Sequence, residues 1–216
     1  MNEMPSRSEM FDRQARFPFT WLSEAIGLLR SAYVLWSQFL DKHHESKTLQ
    51  QEDNPVDSVD MATDRFVSSY MLLAGYAIEN AIKGLIVAGW EGSNMLQAVP
   101  KVLRTHDLTE LADTAQVGLS PDQEIVLQTL QEVVVWKGRY GSPVAATHLD
   151  RTWAFFDYGK PFFHPKKVRD LLWHIARHYP RDVWTYPALL HEAFPATMEE
   201  WMVLVDEECP GGTWPE

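Results

Sequence analysis

Between residues 20 and 40 the apolar side chains recur three and four positions apart: Trp21, Leu22, Ala25, Ile26, Leu29, Ala32, Tyr33, Trp36, Phe39 and Leu40. This spacing predicts a helix with one broad buried face. Pro18 and an N-cap at Thr20 mark its start. The stretch from His43 to Val59 is polar, with Asn54-Pro55 near its end, and reads as a loop over 43–58. A second helix is predicted over Val59–Ala88. Its apolar positions, from Phe66 through Tyr70, Ala74, Ile78 and Ile82 to Ile86, cover so wide an arc that it must pack on more than one side. Ala74, Gly75, Ala77 and Ala81 would let neighbouring helices approach closely, and Gly89 and Gly92 punctuate its end.

A short helix is predicted over His106–Gln116, with Leu108, Leu111, Ala112 and Ala115 inward. The next begins at a capping box, with Ser120 as N-cap, Pro121 at N1 and Gln123 at N3. It runs to about Lys137, burying Val126, Leu127, Leu130, Val133 and Val134. The β-branched run makes its last turn the weakest part. A final clear helix begins near Pro165 and continues to Tyr179, with Val168, Leu171, Leu172 and Ile175 inward. Gly138–Pro143 breaks the pattern, and the aromatic stretch Thr147–His164 has no clear period. Alternating strand patterns are scarce. The expected fold is all-α, an antiparallel up-and-down bundle of four to five main helices with short additional helices at the C-terminus. Residues 1–17 are expected to be a flexible N-terminus, 18–180 the bundle, and 181–216 an extension packed on it and ending in a flexible tail.

Composition narrows the function classes. The formal net charge is −11, which argues against sequence-blind nucleic-acid binding over the whole surface but leaves room for a local basic patch. The one cysteine, Cys209, excludes an internal disulfide. The first 17 residues lack the apolar core of a signal peptide, and no run of 18 uninterrupted apolar residues occurs, so the expectation is a cytoplasmic protein without a membrane span. No Gly-rich phosphate loop, G-x-S-x-G elbow or C-x-x-C pair is present. No cofactor is expected.

Glu79 and Lys83 interrupt the apolar helix as an i, i+4 pair in the favourable order. Two readings stay open. One is a surface salt bridge beside the core stripe. The other is a polar site in the bundle, with His106 and Arg139 brought nearby by the antiparallel path and Asn80 adding an amide at the same level. Arg139-Tyr140 could meet an anion, or anchor a turn. His174, Arg177, His178 and Arg181 recur at helical spacing as a basic strip, which fits either a phosphate or acidic partner or a solvated outer face near the C-terminal dipole. His174 and His178 have a zinc-like spacing but lack a third ligand, so no metal site is expected.

Three elements in order carry a resemblance: Ala77, Glu79 and Lys83 on the long helix; His106-Asp107-Leu108 with Leu111; and Arg139-Tyr140 after the next helix. The series resembles the HEPN domains, with their A-x-E-x-x-x-K, H-D-L-x-x-L and R-Y-P elements, although Gly141 and Ser142 stand before Pro143 here. The resemblance spans about residues 60–180. It implies a helical bundle, often a homodimer, of a family in which many members bind nucleotides or RNA, some cut RNA and others are inactive scaffolds. The expected function is a non-catalytic or weakly active module that binds a nucleotide, RNA or a protein partner, with Glu79, Asn80, Lys83, His106, Arg139 and Tyr140 as the expected ligand-binding residues. The ribonuclease branch of that family uses an Arg followed four to six residues later by His, which Arg169 and His174 match. Such a pair would hold phosphate and move a proton without metal. Chance supplies about one such spacing in a chain of this composition, and a separation of five turns two side chains about 140° apart on a regular helix. A third reading is a structural, complex-forming protein whose interface is the aromatic segment Trp153–Phe163.

Overall fold

A computed structural model of the chain describes residues 6, 15–50, 59–90, 101–137, 165–181 and 183. Every regular element among these residues is helical: α1 (Pro18–Gln50), α2 (Val59–Ala88), a 3-10 turn (Lys101–Arg104), α3 (Leu108–Thr114), α4 (Pro121–Glu132), which continues into a π-helical turn (Val133–Lys137), and α5 (Pro165–Ala176). The all-α expectation is met for them. The aromatic stretch Thr147–His164 and the Gly138–Pro143 break lie outside the described residues, as do most of 1–17 and nearly all of 181–216.

α2 occupies the predicted span. α1 starts at Pro18, which suits N1 because its missing N–H would have no partner there. It then runs on to Gln50, so residues 43–50 are helix where a loop over 43–58 is expected from the sequence. The reason is local. Lys, Glu, Leu and Gln favour helix, and no Gly or Pro stands between Lys42 and Gln50 to stop it. Polarity alone does not end a helix. The rest of that loop, 51–58, lies outside the described residues.

α1 and α2 are antiparallel. Gly84 near the end of α2 meets Pro18 and Trp21 at the start of α1. Trp36, further along α1, packs on Tyr70 near the start of the apolar part of α2, with ring centroids 5.1 Å apart. α5 runs alongside them. Its first residue, Pro165, accepts a hydrogen bond from Tyr33 Oη of α1, and Tyr179 Oη beyond its end donates to the Ala81 carbonyl of α2. α5 is therefore parallel to α2 and antiparallel to α1. α3 and α4 form a second antiparallel pair, because Thr109 at the start of α3 donates through N and Oγ1 to Gln131 at the end of α4.

Among the described residues the main core cluster joins Leu22, Ala25 and Leu29 from α1, Tyr70, Ala77, Ile78 and Ile82 from α2, Leu108 and Leu111 from α3, Leu127 and Leu130 from α4, and Leu171, Leu172 and Ile175 from α5, and a smaller cluster centres on Val87 and Leu103. Two glycines set how close α2 sits to its neighbours. A Cβ on Gly75 would lie 2.3 Å from Val134 Cγ2, and one on Gly84 would lie 2.3 Å from Tyr179 Oη. Phe66–Ala88 is long and apolar enough, by length and composition, to cross a membrane, despite Glu79, Asn80 and Lys83 within it; 61% of an apolar 18-residue stretch of it is buried inside this fold.

Local signals set the other helix starts. Ser120 accepts from Gln123 N, and the Gln123 side chain accepts from Ser120 N, so the capping box is complete. Asp107 caps α3 by accepting from Glu110 N. α3 is shorter than the predicted His106–Gln116, because Asp107 takes the N-cap position and Gln116 leaves the helix at φ 56. Gln116 N bonds to Asp113 O and Val117 N to Ala112 O, the two hydrogen bonds of a Schellman ending. At the end of α4 the Val run stays helical but winds wider, with Val134 seated against Gly75.

Candidate functional site

The polar interruption in α2 is a buried ion pair. Lys83 Nζ lies 2.6 Å from Glu79 Oε1, and each side chain is only 7% exposed. One helical turn separates the two residues, so the backbone holds them on one face and the surrounding helices close over them. Removing two charges from water is unfavourable unless each finds partners of good geometry. Glu79 finds a second one. His106 Nδ1 lies 2.9 Å from Oε1 and 3.0 Å from Oε2, straddling the carboxylate.

His106 reaches Glu79 because the chain before α3 crosses the α2 surface here. The 3-10 turn Lys101–Arg104 packs Leu103 inward, near Val87. Thr105 Oγ1 then accepts from Asp107 N, and Asp107 caps α3. His106 is thus held between two anchored neighbours. Its side chain is 40% exposed, so the buried pair connects to the surface through this imidazole. An ionised carboxylate only accepts, so Nδ1 carries a proton in this arrangement. Nε2 makes no hydrogen bond among the described residues and, in the neutral ring, keeps its lone pair. Chemically, the cluster can present an imidazole of fixed tautomer and orientation, backed by a carboxylate that a buried ammonium holds in place.

Of the residues expected to bind ligand, Glu79, Lys83 and His106 come together. Asn80 does not join them: its Nδ2 donates to the Tyr76 carbonyl one turn back on α2. Arg139 and Tyr140 lie outside the described residues. Two cations that the sequence reading passed over stand on the same short segment as His106. Lys101 and Arg104 are both exposed. The signal was their spacing of three, which stacks side chains on one side of a 3-10 turn. Asp107 and Glu110 are the acidic groups that follow.

Arg169 and His174 have separate partners. Arg169 is buried on α5, not solvated, and its guanidinium donates to Asp170 at 3.2 and 3.3 Å. His174 Nε2 lies 2.7 Å from the Gly118 carbonyl in the turn between α3 and α4, and its ring packs edge-on to His178. A carbonyl accepts, so Nε2 donates and is occupied. Along the basic strip Arg177, His178 and Arg181 are exposed and His174 is half-buried. Among the described residues no group of three or more His, Cys, Asp or Glu could hold a metal ion. No family model, no curated protein and no solved structure matches this chain.

Proposed function

We propose that this chain is a HEPN-like helical module that binds a phosphate-bearing ligand, a nucleotide or RNA, beside His106 and does not cleave it. One observation carries the reading. His106 and Glu79, 27 residues apart in sequence, meet over a buried lysine, and the imidazole opens that cluster to solvent. The resemblance to HEPN domains falls on these same residues. Exposed Lys101 and Arg104 beside His106 supply positive charge on a chain of net charge −11. A local patch of this kind favours phosphate groups where the whole surface would not.

Binding is preferred to cleavage by Arg169 and His174 because each of those side chains is engaged elsewhere, Arg169 with Asp170 and His174 with the Gly118 carbonyl. The proposal extends to a homodimer, as the resemblance implies, and to a cytoplasmic setting, as the sequence leads one to expect. Thermal-shift and calorimetric titrations with mononucleotides and short RNA test the ligand, since a ligand that binds only the folded state raises its stability. A saturable shift that His106→Ala and Lys101→Ala/Arg104→Ala weaken is expected, with the RNA intact afterwards. A flat response across the panel would overturn the reading in favour of a structural protein. RNA cleavage lost in His174→Ala would overturn it in favour of a ribonuclease.

A further inference from the structure

We infer that His106 is a phosphoryl-acceptor site, taking a phosphoryl group on Nε2 from a donor of high transfer potential such as an acyl phosphate or a phosphoramidate. The inference rests on the reading above only in holding that this site meets phosphate groups. Three observations carry it. Nδ1 is held by both Glu79 oxygens, at 2.9 and 3.0 Å. The side chain is 40% exposed, and Nε2 is not engaged by any described residue. Glu79 is itself fixed by Lys83 at 2.6 Å inside the bundle, so the carboxylate is positioned before any donor arrives.

The chemistry follows from that geometry. A ring nitrogen becomes a better nucleophile when a carboxylate accepts the proton of the other nitrogen, because the positive charge that develops in the ring is stabilised. The Nε2 lone pair forms the N–P bond. The P–O bond of an acyl phosphate, or the P–N bond of an N-protonated phosphoramidate, breaks, and the leaving carboxylate or ammonia departs with that electron pair. The Nδ1 proton stays on the ring, which becomes an imidazolium paired with Glu79. No oxidant or metal is needed to balance the step. The N–P bond is itself of high transfer potential, so only donors of comparable potential would leave it populated. Lys101 and Arg104 on the same segment are exposed and attract the donor, with Asp107 and Glu110 as the opposing charges. In this scheme Glu79 is a positioning residue.

The basic strip on α5 supplies internal references. His178 is exposed without a carboxylate on its ring among the described residues, and His174 has Nε2 occupied by the Gly118 carbonyl. The full chain is incubated with phosphoramidate and, separately, with acetyl phosphate. Labelling at each histidine is followed by peptide mapping under alkaline conditions, and the phosphorus resonance distinguishes the Nδ1 from the Nε2 isomer. Labelling at His106 should outpace that at His178 by about tenfold or more, as the Nε2 isomer, and should be lost in His106→Gln. Glu79→Gln should slow it by about 10- to 100-fold, by analogy with the loss of the carboxylate that orients a metal-bound histidine, and Glu79→Asp should restore part of the rate. Equal labelling of His106 and His178 in the unaltered protein, or an Nδ1 adduct at His106, would overturn the inference, and neither result depends on a variant folding. Nucleotide binding without selective labelling removes this inference alone, whereas selective labelling without nucleotide binding removes only the binding proposal.

Discussion

Lys83 is a buried ammonium whose hydrogen-bond partner among the described residues is Glu79, so its behaviour depends on that carboxylate. Removing one member of a buried pair leaves the other charge unpaired, which costs about 3–5 kcal/mol, whereas replacing both with apolar groups of similar size is often neutral. Glu79→Leu alone should therefore lower the unfolding free energy by about that amount, and Glu79→Leu/Lys83→Met should recover most of it. Denaturant unfolding of the two singles and the double checks this. Additive losses would mean that the pair is hydrated and not coupled. At Gln116 the backbone sits at φ 56, a conformation that disfavours any residue with a Cβ. Gln116→Gly should raise stability by about 0.5–1 kcal/mol, read as a higher unfolding midpoint, because the Schellman ending stays and the strain goes. The sequence made Glu79 and Lys83 legible as a pair, since an i, i+4 spacing in an apolar helix is visible in one dimension. It could not say whether the pair was buried or on the rim, because burial depends on what His106 and the 3-10 turn lay over it. Asn80 stands at the same height in the sequence, but an amide there has a competing acceptor in its own helix, and its Nδ2 donates to the Tyr76 carbonyl.

Helix positions are legible in the sequence wherever a period and a cap agree. The α2 span and the Ser120 capping box both follow from side chains acting within one turn of the backbone. The structure departs from expectation where the sequence supplies no local stop or where the partner is distant. α1 continues to Gln50 because polar residues are not helix breakers. The π-helical turn at Val133–Lys137 places Val134 against Gly75, and no pattern within α4 signals it. Three helical glycines turn this distinction into a test. Alanine is the better helix former by about 1 kcal/mol, so Gly27→Ala, which meets nothing within 4 Å, should stabilise by up to that amount. Gly75→Ala would drive a Cβ to 2.3 Å from Val134 Cγ2 and 3.4 Å from Leu130 O, and should destabilise by about 1–3 kcal/mol. Gly84→Ala should do likewise, since Trp21 Cβ and Pro18 O leave no room beside Tyr179. Thermal melts of the three single variants would show one gain and two losses. Three gains would mean that α2 does not approach α4 and Tyr179 as closely as described.

Across the whole molecule, α1, α2 and the end of α5 are tied at one place. Gly84 of α2 lies against Pro18 and Trp21 of α1 and against Tyr179, whose Oη donates to the Ala81 carbonyl. Tyr179 is 4% exposed, and burial pushes its phenol well above the ordinary value of about 10. The sign of the linkage is fixed by that direction. In the unfolded chain the phenol ionises near pH ~10, while in the fold it stays neutral. Its contribution is therefore complete below that pH and declines as pH rises above it, by about 1.4 kcal/mol per pH unit while only the unfolded form is charged. Tyr179→Phe removes both the titrating group and the hydrogen bond. At neutral pH it should cost about 0.5–1.5 kcal/mol, the usual net worth of such a bond. Above pH ~10 the gap between the two proteins should close and then reverse, because the phenylalanine variant has no phenol to ionise on unfolding. Paired urea titrations across that range measure it, since the other tyrosines are common to both proteins and cancel in the difference. A gap that stays constant with pH would mean that water reaches Tyr179 in the folded chain, and that the three helices are not closed over it.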